Sequence, residues 1–147
     1  MNAYEIVMES RQKLVEQVIS NMKKGYIFTE KKWDAQVLAP QNPVSHVCYK
    51  GGNRIRLIQQ VVEKGYQDPR WMTRRHLQDQ GYYIKIGEKQ TICEKWIFTK
   101  KEKYLDEDGQ EKVREVELEK PMVSYFGVFN AEQIKDFPPL VQQEDRE

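Results

Sequence analysis

The pattern of hydrophobic and polar positions predicts helices in the first half of the chain. Apolar residues recur at three- and four-residue steps over residues 3–24, with charged and polar residues between them, which is typical of an amphipathic helix. A second helix is predicted to begin at an Asn53 N-cap and to end at Gly65. A short third helix is predicted over residues 74–80, with Thr73 as its cap.

The stretch between the first two helices has no sustained period. Pro40 and Pro43 interrupt it, so residues 26–50 are predicted to be extended or looped. A short anchor is expected around Trp33.

Alternating residues in the second half predict strands. Two are expected at about Tyr82–Ile86 and Thr91–Thr99, joined by a turn over residues 87–89. A third, Val113–Glu119, follows a charged hairpin tip whose turn is Asp108-Gly109. Its glutamates alternate with apolar residues, so one of its faces is predicted to be acidic and solvated.

Near the end of the chain, the sequence predicts an interruption between two strands. Pro121 is expected to interrupt the sheet before the most apolar strand, Met122–Phe129. Asn130 is expected to cap a short helix over Ala131–Ile134.

Helices followed by antiparallel strands predict an α+β protein. We expect an N-terminal amphipathic helix and short helices packed on a small antiparallel sheet. A single domain is predicted over residues 1–140, and residues 141–147 are interpreted as a polar tail or the start of a linker.

Composition agrees with one folded domain. The chain has 147 residues, 39% of them hydrophobic and 32% charged. No apolar run has membrane-spanning length and no signal-peptide pattern follows Met1, so we expect a soluble, cytoplasmic protein without a membrane partner. Two cysteines suggest neither a disulfide framework nor a cysteine-rich zinc site.

Charge is unevenly divided along the sequence. Residues 1–103 contain 19 Lys and Arg against 11 Asp and Glu, a balance of +8, whereas residues 104–147 contain 5 against 12, a balance of −7. Such asymmetry is expected when one part of a protein meets a polyanion and another forms an acidic surface or tail.

No catalytic or metal-binding pattern is present in the sequence. The two histidines, His46 and His76, lie in different segments, and no H-E-x-x-H, G-x-S-x-G, P-loop or G-x-G-x-x-G occurs. We therefore expect no enzymatic site, no metal and no cofactor within these residues.

Cations and aromatic residues alternate between Trp33 and Trp96. Proteins hold single-stranded nucleic acid by this combination, because cations follow the phosphates and flat rings stack on bases. A buried, structural role is the more common one for tryptophan, and we interpret Trp71 and Trp96 more readily as core residues than as stacking platforms.

Several of these segments resemble the N-terminal domain of ArdC-type antirestriction proteins. The segments are "NPVSHVCYKGGNRIRL", "GYQDPRWMTRRHLQDQGYYIKIGEK" and "YFGVFNAEQI". The matching elements are Asn42, Tyr49-x-Gly51-x-Asn53, Pro69-Arg70-Trp71-x-Thr73, Gly81, Gly87-Glu88-Lys89, Trp96, and Val128-Phe129-Asn130 with Gln133. The chain departs from the family at His76, where Gln is usual, and at Ile86, where Lys is usual.

The resemblance implies a module that binds single-stranded DNA with little sequence preference in plasmid or mobile-element proteins. Residues expected at the DNA are Tyr49, Lys50, Arg54, Arg70, Trp71, Arg74, Arg75, Tyr82, Lys85 and Lys89. Gly51, Gly81, Pro69 and the predicted caps are assigned to the fold.

Two alternatives stay open. The module could contact a restriction enzyme, with the acidic segment imitating DNA. It could instead deliver DNA to a metallopeptidase or primase domain of a longer polypeptide, and the acidic end after Pro138-Pro139 favours a fragment cut at a linker.

Overall fold

A computed structural model of the chain describes residues 2–25 and 38–139. The predicted anchor around Trp33 and the predicted tail lie outside these residues. The elements, in chain order, are α1 (Ala3–Lys23), α2 (Gly51–Lys64), β1 (Trp71–Thr73), α3 (Arg74–Asp79), β2 (Tyr83–Ile84), β3 (Thr91–Leu105), β4 (Glu111–Asn130), a 3-10 helix (Ala131–Gln133) and β5 (Ile134–Lys135). The mixture of helices and antiparallel strands confirms the predicted α+β class.

Helix α1 has the predicted extent and begins with a capping box. The Asn2 side chain accepts the N–H of Glu5 at 2.8 Å, and the Glu5 carboxylate accepts the N–H of Asn2 at 3.3 Å. At the other end, the buried Asn21 amide donates to Gln59 Oε1 of α2 at 2.6 Å. This contact joins the two helices, and α1 also packs against β4.

Helix α2 begins at Gly51, so the predicted Asn53 N-cap is wrong. Asn53 instead binds the backbone of β3: its Oδ1 accepts the N–H of Glu94 at 2.8 Å, and its Nδ2 donates to the Glu94 carbonyl at 2.9 Å. The reason is that β3 is an edge strand, whose outward N–H and C=O groups need partners. Gly65 ends α2 as predicted, with φ of 72°.

The other two predicted caps are confirmed. Thr73 Oγ1 accepts the N–H of His76 at 3.3 Å at the start of α3. Asn130 caps the 3-10 helix, because its Oδ1 accepts the N–H of Glu132 at 2.9 Å and Gln133 Oε1 accepts the N–H of Asn130 at 2.8 Å.

The main sheet has three antiparallel strands in the order β1-β4-β3. Strands β3 and β4 are longer than predicted and form a two-stranded ribbon that ends at a turn over residues 106–110. Strand β2, in contrast, has two residues only and pairs with β5, not with β3. The prediction of a strand over Tyr82–Ile86 was therefore too long.

Pro121 does not divide β4 into two strands, so the predicted interruption is wrong. Ile97 lies opposite Met122 but Thr99 lies opposite Glu117, which leaves Phe98 facing the four residues 118–121. A proline is tolerated at such an irregularity because its missing N–H removes no regular ladder bond. We call the part of β3 and β4 beyond this bulge, residues 99–117, the distal ribbon.

Most of the buried apolar residues form two clusters. The first contains Leu57, Val61, Tyr66, Trp71, Cys93 and Val128, and the second contains Met72, Leu77, Phe129 and Ile134. Neighbours in sequence, such as Trp71 and Met72, belong to different clusters because successive strand residues point to opposite faces. The second cluster fixes α3 and β5 against β4, with Ile84 of β2 packed against it.

The carboxylate of Glu94 joins β3 to both long helices. It accepts a bidentate contact from Arg11 of α1, with Nη2 to Oε2 at 2.9 Å, and a second contact from Arg56 Nη2 of α2 at 2.9 Å. The indole N–H of Trp96 donates to the same carboxylate at 3.2 Å. Arg11, then Arg56 and Trp96, hold the pKa of Glu94 at about 2, well below its ordinary 4.5.

We predict a loss of stability in acid that depends on Glu94. Folding lowers the pKa of this carboxyl from 4.5 to about 2, so its contribution is complete above pH 4.5 and is lost as the pH falls through about 2. The free energy of unfolding should fall by about 3 kcal/mol across this window, as measured by urea unfolding at each pH.

The matched variant is Glu94→Gln, which cannot titrate. It should be less stable than the wild type at pH 7, because the buried Arg56 loses its counter-charge, and its stability should depend less on pH. Equal slopes for the two proteins between pH 4.5 and 2 would contradict the assignment.

Candidate nucleic-acid interface

The ten residues predicted at the DNA lie in different environments. Trp71 is buried, and Tyr49, Arg70 and Tyr82 are half-buried. The exposed members of the set are Lys50, Arg54, Arg74, Arg75, Lys85 and Lys89.

Trp71 is wrong as a stacking platform, because its side chain is 0% exposed and Tyr66 packs edge-to-face on it at 5.8 Å between ring centroids. This confirms the interpretation of Trp71 as a core residue, which the sequence favours over a stacking role. Tyr49 packs against the same cluster, and its hydroxyl donates to the Trp71 carbonyl at 3.2 Å. Burial raises the pKa of Tyr49. Trp71 therefore presents no free face for a base, whereas Tyr49 is half-buried against the same cluster.

Arg70 is neutralised within the protein. Its Nε and Nη2 donate to the two carboxylate oxygens of Asp68 at 2.9 and 2.7 Å, and Nη2 also donates to the Pro138 carbonyl at 2.7 Å. The guanidinium lies 4.7 Å from the centre of the Phe137 ring. The charge of Arg70 is thus paired with Asp68, while its Nη1 makes none of these contacts, and a contact between Arg70 and DNA stays a prediction.

Tyr82 and Tyr83 are neighbours with opposite orientations. Tyr82 packs against the second core cluster and lies edge-to-face with Phe137 at 4.9 Å. Tyr83 is 76% exposed. The sequence prediction places Tyr82 at the DNA, but Tyr83 is the exposed ring of the pair. Strand alternation shows that only one of the two can point outward, but not which one.

Tyr83 stands on a basic surface formed by the small sheet. Lys135 lies directly opposite it in the register of β2 and β5. Lys85, the first residue after β2, continues the pairing by donating its N–H to the Gln133 carbonyl at 2.9 Å, and strand alternation then places its side chain on the side of Tyr83. Ile84 and Ile134, which alternate with them, contribute to the core. We call the outward side, with Tyr83, Lys85 and Lys135, the β2–β5 face.

A groove runs beside this face, between α3 and β2. Its volume is about 490 Å³, and its lining residues are Arg74, Leu77, Gln78, Gly81, Tyr82, Tyr83 and Ile84. The Arg74 guanidinium lies 5.7 Å from the centre of the buried Phe129 ring, which favours a fixed position for its charge. A second groove has three cations and three carboxylates in its lining, which are Arg70, Lys85, Lys135, Asp68, Glu132 and Asp136.

The loop that carries Lys89 is held from the 3-10 helix. Gln133 Nε2 donates to the Lys89 carbonyl at 3.0 Å and to Glu88 Oε2 at 3.1 Å. The turn itself forms as predicted, since Gly87 has φ of 84° and the N–H of Glu88 donates to the Lys85 carbonyl at 3.2 Å. The exposed side chains of Lys85 and Lys89 thus project from an ordered turn.

Lys50 and Arg54 lie at the start of α2. Lys50 is the N-cap residue and supplies no side-chain hydrogen bond to the helix. Arg54 donates through Nε and Nη2 to the Leu38 carbonyl at 3.3 and 3.2 Å. No carboxylate among the described residues forms an ion pair with it. Both cations are exposed.

The acidic part of the sequence does not form a separate acidic surface in the distal ribbon. Glu115, on the face predicted to be acidic, lies directly opposite Lys101. Ion pairs join Lys103 to Glu111 at 3.5 Å and Arg114 to Glu102 at 3.8 Å. The two charge blocks of the sequence thus meet across β3 and β4, which weakens the interpretation of this segment as an imitation of DNA.

Over residues 2–25 and 38–139, no group of three or more His, Cys, Asp or Glu side chains could hold a metal ion. None of the helices in this part of the chain is long and apolar enough to cross a membrane.

We predict that Arg70 stabilises the fold and contributes little to ligand binding. Arg70→Ala leaves the largely buried Asp68 carboxylate without its bidentate partner, which should lower the free energy of unfolding by about 2 kcal/mol. Chemical unfolding at neutral pH measures this change. Arg75→Ala, which removes an exposed arginine, is the control and should change stability by less than about 0.5 kcal/mol; equal losses would contradict the assignment.

Comparisons with known proteins agree on one family. The model of the N-terminal domain of anti-restriction factor ArdC matches residues 8–129. Two curated proteins of Escherichia coli, both described as DNA primase TraC, are each 33% identical, and the matches cover 95% and 90% of this chain. The chain spans 14% and 10% of their lengths.

Solved structures give the same result. The metal-free crystal structure of the antirestriction protein ArdC from plasmid R388 is 27% identical, with a TM-score of 0.58 over 86% of this chain and 42% of that one. Its Mn(II)-bound structure, 24% identical with the same TM-score, has the same fold.

Proposed function

This chain belongs to the family of the N-terminal domain of the anti-restriction factor ArdC, and on that premise we propose that it binds single-stranded DNA with little sequence preference. One observation carries the proposal: on the β2–β5 face, an outward tyrosine is flanked by two lysines. Tyr83 is 76% exposed, and Lys85 and Lys135 are exposed beside it.

The charges at this surface support a phosphate-binding role. Arg74, Lys85 and Lys135 form no ion pair with another residue in the described part of the chain. Their charges are therefore available to a ligand, in contrast to those of Arg56 and Arg70. Cations of this kind track a sugar-phosphate backbone without reading its sequence.

The elements on the β2–β5 face favour a single strand over a duplex. Reading a duplex requires a helix or ribbon that enters the major groove. Helix α3 has six residues, which are too few for a helix that lies along the major groove of DNA. An exposed ring stacks on any unpaired base, which accounts for weak sequence preference. By their names, two of the relatives are DNA primases and one is an antirestriction protein of plasmid R388.

We predict that binding weakens steeply with salt through the lysines of the β2–β5 face. For single strands, log K falls with log salt by about 0.7 for each phosphate contact. Lys85→Ala and Lys135→Ala should each weaken binding at low salt and reduce this slope by about 0.7. Fluorescence anisotropy of a labelled oligonucleotide at several salt concentrations measures both quantities.

The matched control is Lys13→Ala, which removes an exposed lysine from α1, where Lys13 pairs with Glu9 at 3.0 Å. Its affinity and slope should equal those of the wild type. The proposal fails if a duplex of the same length binds as tightly as the single strand, or if all three lysine variants behave alike.

A further inference from the structure

The groove between α3 and β2 combines an apolar floor with a polar rim. Tyr82 and Ile84, both half-buried, supply the apolar surface, and the buried Leu77 packs beneath them. Arg74 and Gln78, both exposed, supply the polar groups. The groove is open to solvent, and its volume of about 490 Å³ lies within the range of small-molecule sites.

Tyr83 lines the same groove and also stands on the β2–β5 face. Its ring therefore forms a boundary between the cationic surface and the apolar floor. A nucleotide has the same division into two parts, a charged phosphate and a flat base with donors and acceptors on its edge.

We propose that this groove binds one unpaired nucleobase of a single DNA strand. The proposal rests on the proposed function and adds a subsite to it. The base stacks on the Tyr83 ring and lies over the apolar floor, while Arg74 and Lys85 contact the adjoining phosphates. A base paired in a duplex cannot enter, because its edge and both faces are occupied.

Gln78 is the residue that meets the edge of the base. Its amide carries an acceptor oxygen and two N–H donors, so rotation of the amide satisfies adenine, guanine, cytosine or thymine in turn. The subsite thus distinguishes a normal nucleotide from an abasic one, but it does not distinguish among the four bases. This agrees with DNA binding of low sequence preference.

The test uses an oligonucleotide and its abasic counterpart, which keeps every phosphate but lacks the bases. Wild-type protein should bind the abasic strand about 10-fold or more weakly. Tyr83→Ala should bind the normal strand about 10-fold or more weakly than the wild type does. Its affinity for the abasic strand should equal that of the wild type. Tyr83→Phe keeps the ring and should retain wild-type affinity for both.

Two further variants separate the subsite from general effects. Gln78→Ala should weaken binding of the normal strand alone, since it removes only contacts to the base. Tyr4→Ala removes a tyrosine of comparable exposure, 56%, from α1 and should change neither affinity. Thermal unfolding of each variant shows that the fold is retained, which the exposure of Tyr83 leads us to expect.

The outcomes distinguish the two proposals. If the wild type binds the single strand and Tyr83→Ala binds it equally well, the subsite is wrong and the proposed function stands. Equal wild-type affinity for the normal and abasic strands also overturns the subsite. If the wild type binds neither strand, both proposals fail.

Discussion

The carboxylate of Glu94 neutralises two arginines that come from two helices, and it thereby ties both helices to β3 of the main sheet. Arg56 is 4% exposed, so its charge requires a partner inside the protein. Arg11 reaches the same carboxylate from α1, and Asn53 binds the Glu94 backbone. With the helices held on one part of the molecule, α3 and β2 form a separate surface on the second core cluster.

Local signals in the sequence predicted much of the fold. Helix periodicity, the Thr73 and Asn130 caps and the Asp108-Gly109 turn depend on contacts within a few residues, and the structure contains each of them. The predicted Asn53 cap is wrong because the Asn53 side chain binds the backbone of Glu94, 41 residues away in sequence. The continuity of β4 through Pro121 likewise depends on its pairing with β3, which a single segment does not reveal.

In the candidate site, too, local sequence predicted some features and tertiary contacts decided the others. Residue type indicated cations and aromatic rings, but exposure and pairing decided which of them are available to a ligand. Asp68 pairs with the charge of Arg70, and the core removes Trp71 from that set. Tyr83 enters the set because Ile84 next to it packs inward against the second cluster. These outcomes are properties of the tertiary structure, so neither composition nor spacing could provide them.

The side chain of Asn53 has one more consequence. It occupies the outward N–H and C=O of Glu94, the two groups that a further strand would need in order to join the sheet at that point. Farther along the same edge, β3 carries Lys100, Lys101 and Lys103, and a second copy laid antiparallel about Glu102 would bring lysines opposite lysines. The open edge of this sheet is thereby protected against growth by strand addition, the first step toward aggregation of a concentrated protein.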